Sequence, residues 1–240
     1  MRRYAFVGVC LTLTALFTAL GFWQVERRAW KLDLIGKVEA RVHAAPSPLP
    51  PPSQWGGDLA YRRVRVTGRF LHDHETLVQA VTVHGPGWWV MTPMRLSDPA
   101  PAFRRATGHP LILVNRGFVP NERHDPATRR LALPAERVSL TGLIRGSEPG
   151  GAFLRSNDPA ADRWFSRDVA AIARARNLGP IVPFFLDADA TANPGGYPIG
   201  GLTVIAFRNN HLSYAITWFG LALLSLAGAA MVIRSGARRR

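Results

Sequence analysis

Cysteine is almost absent from this chain: of its 240 residues only Cys10 carries a thiol, and it lies inside an apolar run near the N-terminus. The remaining sequence therefore offers no disulfide framework, no zinc–thiolate site and no cysteine nucleophile. Acidic residues are also scarce, 16 against 30 Lys and Arg, which leaves a formal net charge of +14. So basic a balance raises nucleic-acid binding, but in a membrane-anchored chain it more commonly meets anionic headgroups or acidic protein surfaces. No nucleic-acid partner is expected. The sequence contains no GxSxG, HExxH, phosphate-binding loop, dinucleotide fingerprint or CxxC, so the common catalytic frameworks are missing and an enzyme is disfavoured.

What the chain does contain is two long stretches without charge, Tyr4–Val25 and Leu212–Ile233. About 20 helical residues at ~1.5 Å rise cross the ~30 Å hydrocarbon core, and each stretch reaches that length. A helix suits because it satisfies its backbone polar groups internally. The Met-Arg-Arg start resembles the head of a signal peptide, but the apolar run exceeds the usual ~7–15 residues. It ends in Gly21-Phe22-Trp23-Gln24 rather than at a small-residue cleavage site, so it reads as an uncleaved anchor. Arg2 and Arg3 before the first helix, and Arg234 and Arg238–Arg240 after the second, predict cytoplasmic termini. Arg27, Arg28 and Lys31 oppose this, but a loop so long crosses largely regardless of charge. The expected setting is a bacterial inner membrane with a periplasmic central domain; no Arg/Ser-rich transit segment precedes Tyr4.

The expected architecture is a membrane α+β protein: two transmembrane helices (4–25 and 212–233) flanking an antiparallel β-rich extracytoplasmic domain (59–208) with one helix. Residues 26–58 join them. There Trp30, Leu34, Val38 and Val42 recur at helical spacing, and Pro46–Pro52 then reads as a stiff extended linker. Alternating or apolar runs at 63–70, 77–83, 88–94, 111–114 and 138–144 predict strands, as do Val182–Leu186 and Leu202–Phe207. A helix over Arg167–Arg176 is expected, capped by Ser166 and ended near Gly179.

Few side chains point to chemistry. His72 and His74 would share one face of a strand and could ligate a metal together, although solvated edge histidines are the plainer reading. Asp187 and Asp189 raise an acid–base site, but acids beside Asn193-Pro194-Gly195-Gly196 also suit turns. The most informative cluster is at the mouth of the second helix, where His211, Tyr214 and Trp218 fall at i, i+3 and i+7. A neutral imidazole can ligate haem iron, with aromatics suited to a flat macrocycle; an interfacial histidine beside an aromatic belt fits the same residues.

Gly21-Phe22-Trp23-Gln24, Tyr61-Arg62-Arg63-Val64, Gly85-Pro86-Gly87-Trp88, Val114–Pro120 and Asn209–Phe219 occur in this order along nearly the whole chain. In these motifs the sequence resembles the surfeit-locus protein family, assembly factors for haem–copper (cytochrome c) oxidase. The resemblance implies a non-enzymatic role in helping haem a reach or settle into the oxidase catalytic subunit, with His211 as the iron ligand. Trp23 carries over from the first motif, and Asn115, Arg116 and Gly117 from the fourth. Tyr214, Trp218 and Arg208 complete the expected haem-binding set, Arg208 joining Arg27, Arg28 and Lys31 as candidate partners of the propionates. The catalytic subunit and the lipid bilayer are the expected partners, with a haem a synthase as a further candidate. The alternative is a scaffold that docks on an oxidase subunit without touching haem. A loop at Asp98–His109 and the arginine- and proline-rich linker depart from the family pattern.

Overall fold

A computed structural model describes residues 2–97, 111–132, 136–205 and 207–237. The divergent Asp98–His109 loop, His109 included, and Arg238–Arg240 lie outside these. The chain divides into two compact units, 1–39 with 205–240 and 40–204.

The first unit is a pair of helices. α1 runs unbroken over Arg2–His43 and α3 over His211–Ala237, both long and apolar enough to cross a membrane. Side-chain approaches fix them as antiparallel: Phe17 stacks on Trp218, Gly21 meets Phe219, and Gly228 meets Cys10. The seam is made by small residues. Ala215, Ala222 and Ala229 are buried at steps of seven on α3, opposite buried Cys10, Gly21 and Gln24 on α1. A Cβ at Gly21 would lie 2.5–2.8 Å from the Phe219 ring, so glycine is what lets that ring seat. Close backbone approach through small residues is the usual solution where lipid removes any hydrophobic drive to associate.

The second unit is a β-barrel. Its strands are β1 (Arg63–Phe70), β2 (Thr76–Thr82), β3 (Gly85–Leu96), β4 (Leu111–Pro120), β5 (Val138–Gly146), the two-residue hairpin β6–β7 (Gly151–Ala152, Arg155–Ser156) and β8 (Ile181–Ala188). Sheet order is β1-β5-β8-β4-β3-β2, and β1 also pairs with the far end of β3, Gly68 with Leu96 and Phe70 with Met94. That extra pairing joins β1, β5, β8, β4 and β3 into a closed ring, with β2 branching from the start of β3. All ladders are antiparallel except β4–β8, which is parallel. The short apolar run Leu111–Val114 thus becomes a strand buried on both faces, as its composition predicts.

Alternation sorts the core into two layers. Val64, Val66, Met94, Ile112, Val114, Ile144, Phe184 and Leu186 form one cluster. Leu113 and Phe185, the residues between, join Val78, Met91 and Trp164 beneath Val169 and Ile172 of the small helix. That helix, α2, spans Val169–Ala175. Asp168, not Ser166, caps it, accepting from Ala171 N–H at 3.0 Å; Ser166 is buried and donates to the Glu148 carbonyl. Asn177 takes the left-handed turn after the helix (φ 52°), before the expected Gly179 is reached.

Two further expectations change. The proline-rich segment is extended, but it lies on the barrel: Ser47 bridges to Val64, and Trp55 packs edge-on against Phe184 at 5.8 Å. The strand expected at Leu202–Phe207 does not form over its described residues. Asp187 takes the Thr203 hydroxyl instead, and Ile199 supplies the short bridge to Phe118. Gly117 sits at φ 128° against the Ile199 carbonyl, an approach that no side chain would permit.

Candidate functional site

The site begins with a polar residue in an apolar run. Gln24 is buried in the helix seam at 8% exposure, and its Oε1 lies 2.7 Å from Nδ1 of His211, the first residue of α3. A carboxamide oxygen only accepts, so the proton of that bond sits on Nδ1; in the neutral ring this leaves the lone pair on Nε2. No described residue hydrogen-bonds Nε2. Two residues earlier, Asn209 Oδ1 is buried and unpartnered among the described residues. A neutral imidazole with a free ring nitrogen is the donor that haem iron takes, so the residues present fit such a group.

The other expected site residues are placed differently. Trp218 is half-buried and stacks on Phe17 at 5.6 Å and 26°, which commits its ring to holding the helices together. Tyr214 and Trp23 are exposed, at 55% and 54%, and Arg208 is exposed as well. Along α1, Gln24 is followed at i+3, i+4 and i+7 by Arg27, Arg28 and Lys31, which places these cations on the side of the helix that bears Gln24. Arg27 lies 4.0 Å over Trp30, and Lys31 5.4 Å from the Phe207 ring. Gln24 itself carries no family-independent motif. Its signal in the sequence was an amide where lipid would be the solvent.

The candidates in the barrel resolve into structural roles. His72 and His74 are not on a strand: both lie in a 3-10 turn, with His74 Nδ1 3.1 Å from the Arg176 carbonyl and the His72 ring against Phe70. They therefore do not share the strand face that a metal pair requires, and no group of three metal-ligating side chains occurs among the described residues. Asp187 is not a turn acid but a buried hub. It accepts from Asn115 (2.8 Å), Arg145 (3.1 Å), Arg167 (3.1 Å) and Thr203 (3.0 Å). Arg167 also pairs with Glu148. Burial alone would weaken the hold of Arg167 on its proton, but the Glu148 hydrogen bond and the Asp187 charge outweigh it and raise its pKa. Burial likewise pushes the Glu148 carboxyl up, and its bond and charge from Arg167 bring it below its usual range.

A second buried cluster was not legible in the sequence. Glu75 receives both Nη atoms of Arg129 and lies 4.0 Å from Arg116, all three side chains less than a tenth exposed. Burial pushes the Arg116 guanidinium down to about 10, with Glu75 opposing and Arg129 adding to the effect. Its charge rests 4.9 Å over the Phe70 ring. The carboxylates of both clusters are occupied by arginines, an arrangement suited to holding a fold together.

Residues 11–223 match the SURF1 family, a span that includes both Gln24 and His211. The chain is 38% identical over 226 residues to surfeit locus protein 1 of Rattus norvegicus, covering 88% of this chain and 70% of the rat protein. Against surfeit locus protein 1 of Homo sapiens the identity is 36% over 230 residues, covering 89% and 73%. A SURF1-like protein of Monosiga brevicollis is 37% identical over 241 residues, covering 95% and 88%. With a match that takes in both helices and the barrel between them, the chain belongs to the SURF1 family.

Proposed function

We propose that this protein is a membrane-anchored assembly factor for haem–copper (cytochrome c) oxidase, acting without turnover by holding haem a on its way to the catalytic subunit. The observation that carries this reading is His211 at the head of the second apolar helix, its Nδ1 held by Gln24 and its Nε2 without a partner among the described residues. Family membership supports the oxidase as client. When bound, haem would supply an iron able to take a nitrogen ligand and a large apolar surface. The chain's own part is to present one nitrogen beside lipid and to pair the propionates with cations, for which Arg27, Arg28, Lys31 and Arg208 are available. Both termini are proposed to be cytoplasmic and the barrel periplasmic, in keeping with the antiparallel helix pair, which brings both ends of the chain to one end of that unit.

Protein purified in detergent from a host that makes haem a should show a haem absorption spectrum that His211→Ala abolishes. Colourless wild-type protein would end the haem part of the proposal. Charge reversal of Arg27, Arg28, Lys31 or Arg208, one at a time, should lower haem retention; no loss in any variant removes the propionate pairing. A scaffold that docks without haem has one observation in its favour: Phe153 and Leu154, at the tip of the β6–β7 hairpin, are 91% and 88% exposed.

A further inference from the structure

We propose that Gln24 is the positioning residue for His211, presetting the imidazole in the tautomer whose Nε2 is free before any iron arrives. The inference rests on the reading of His211 as the haem ligand. The bond joins the two helices, from residue 24 of α1 to residue 211 of α3, at 2.7 Å. Its polarity is fixed from one side only: the glutamine oxygen has no proton to give, so Nδ1 must give one.

Three consequences follow from that polarity. The lone pair is confined to Nε2, whereas an unheld neutral imidazole divides its population between two tautomers. Rotation of the ring is restricted, because turning it breaks the bond to an amide that is itself buried between helices. The bond also raises the basicity of the opposite nitrogen, as the outer hydrogen bond of a metal-ligating histidine does. A histidine that merely marked the membrane boundary would turn its ring nitrogens toward water and headgroups. Here one of them is used inside the seam, on a side chain that has little other reason to be polar. Gln24 therefore acts through His211, and it has no contact with haem in this proposal.

The test uses the full chain in detergent, as wild type, Gln24→Leu, Gln24→Glu and His211→Ala. Nitrogen-15 NMR of histidine-labelled, haem-free protein reads the tautomer directly, at a pH about two units above the ordinary imidazole value of ~6.5. Nδ1–H is expected to dominate in the wild type and in Gln24→Glu, which keeps an acceptor in place, and to give way to a mixture of both tautomers in Gln24→Leu. Ferric haem b, titrated as the probe, should bind Gln24→Leu roughly 10–100-fold more weakly than wild type, with Gln24→Glu restored to within a few-fold. A wild-type ring protonated at Nε2, or a Gln24→Leu variant equal to wild type in both tautomer and affinity, overturns the positioning role. If His211→Ala keeps the wild-type spectrum and affinity, the ligand assignment itself falls and takes the inference with it. The NMR result separates the two failures, because it is read without haem.

Discussion

At Asp187 a single carboxylate, 4% exposed, satisfies two arginines, an asparagine and a threonine. Truncating it leaves Arg145 and Arg167 partly buried with one fewer counter-charge, and removing one partner of a buried pair costs about 3–5 kcal/mol. Asp187→Ala is therefore expected to lower barrel stability by that amount, measured as thermal unfolding followed through the fluorescence of fully buried Trp164. Glu148 makes a pH prediction. Its folded-state pKa lies below the unfolded value of 4.5. The stability it contributes is therefore fully present above 4.5 and is lost as pH falls through the folded value. Glu148→Gln should cost that full contribution, constant with pH, above 4.5, and flatten the acid limb, so that variant and wild type converge as pH falls. The sequence hid these roles for a simple reason: the partners of Asp187 lie 16, 20, 42 and 72 residues away, and the segment that follows it is rich in turn formers. Only the fold brings the charges together. His211 was legible because its signal is local, an imidazole where an apolar run begins, whereas Gln24 became meaningful only when the second helix was laid against the first.

Among the elements, the helix pair offers the sharpest test. An ideal Cβ at Gly228 lies 3.8 Å from Cys10 Sγ, close enough for a disulfide with little backbone movement. Mild oxidation of Gly228→Cys should give an internal cross-link with Cys10, seen as a faster-running, reductant-sensitive band. Adding Gly21→Val, whose branched side chain would strike the Phe219 ring, should reduce the yield several-fold. Absence of the cross-link in Gly228→Cys would show that the two helices do not pack in this register. Element types were read well where periodicity was strong, as in β1 with its alternating arginines and valines and in the two apolar helices. They were misread where a neighbour competes. Leu202–Phe207 has strand composition, but the β1–β3 pairing closes the ring without it. His72 and His74 sit where the chain must turn from β1 into β2, and the turn overrode the alternation.

For the whole molecule, the order in which the ring is assembled matters more than the number of its strands. β8 is inserted between β4 and β5, and it is the last strand among the described residues. Until Ile181–Ala188 has emerged, β4 lacks its neighbour on one side and β5 on another, so two rows of unmet amides and carbonyls stand open beside strongly apolar surface. A chain terminated anywhere before Ile181 thus forfeits much more than its own missing segment. What survives is expected to be an open sheet whose unpaired edges invite pairing with other copies, so that losing the chain from Ile181 onward should cost the whole ring.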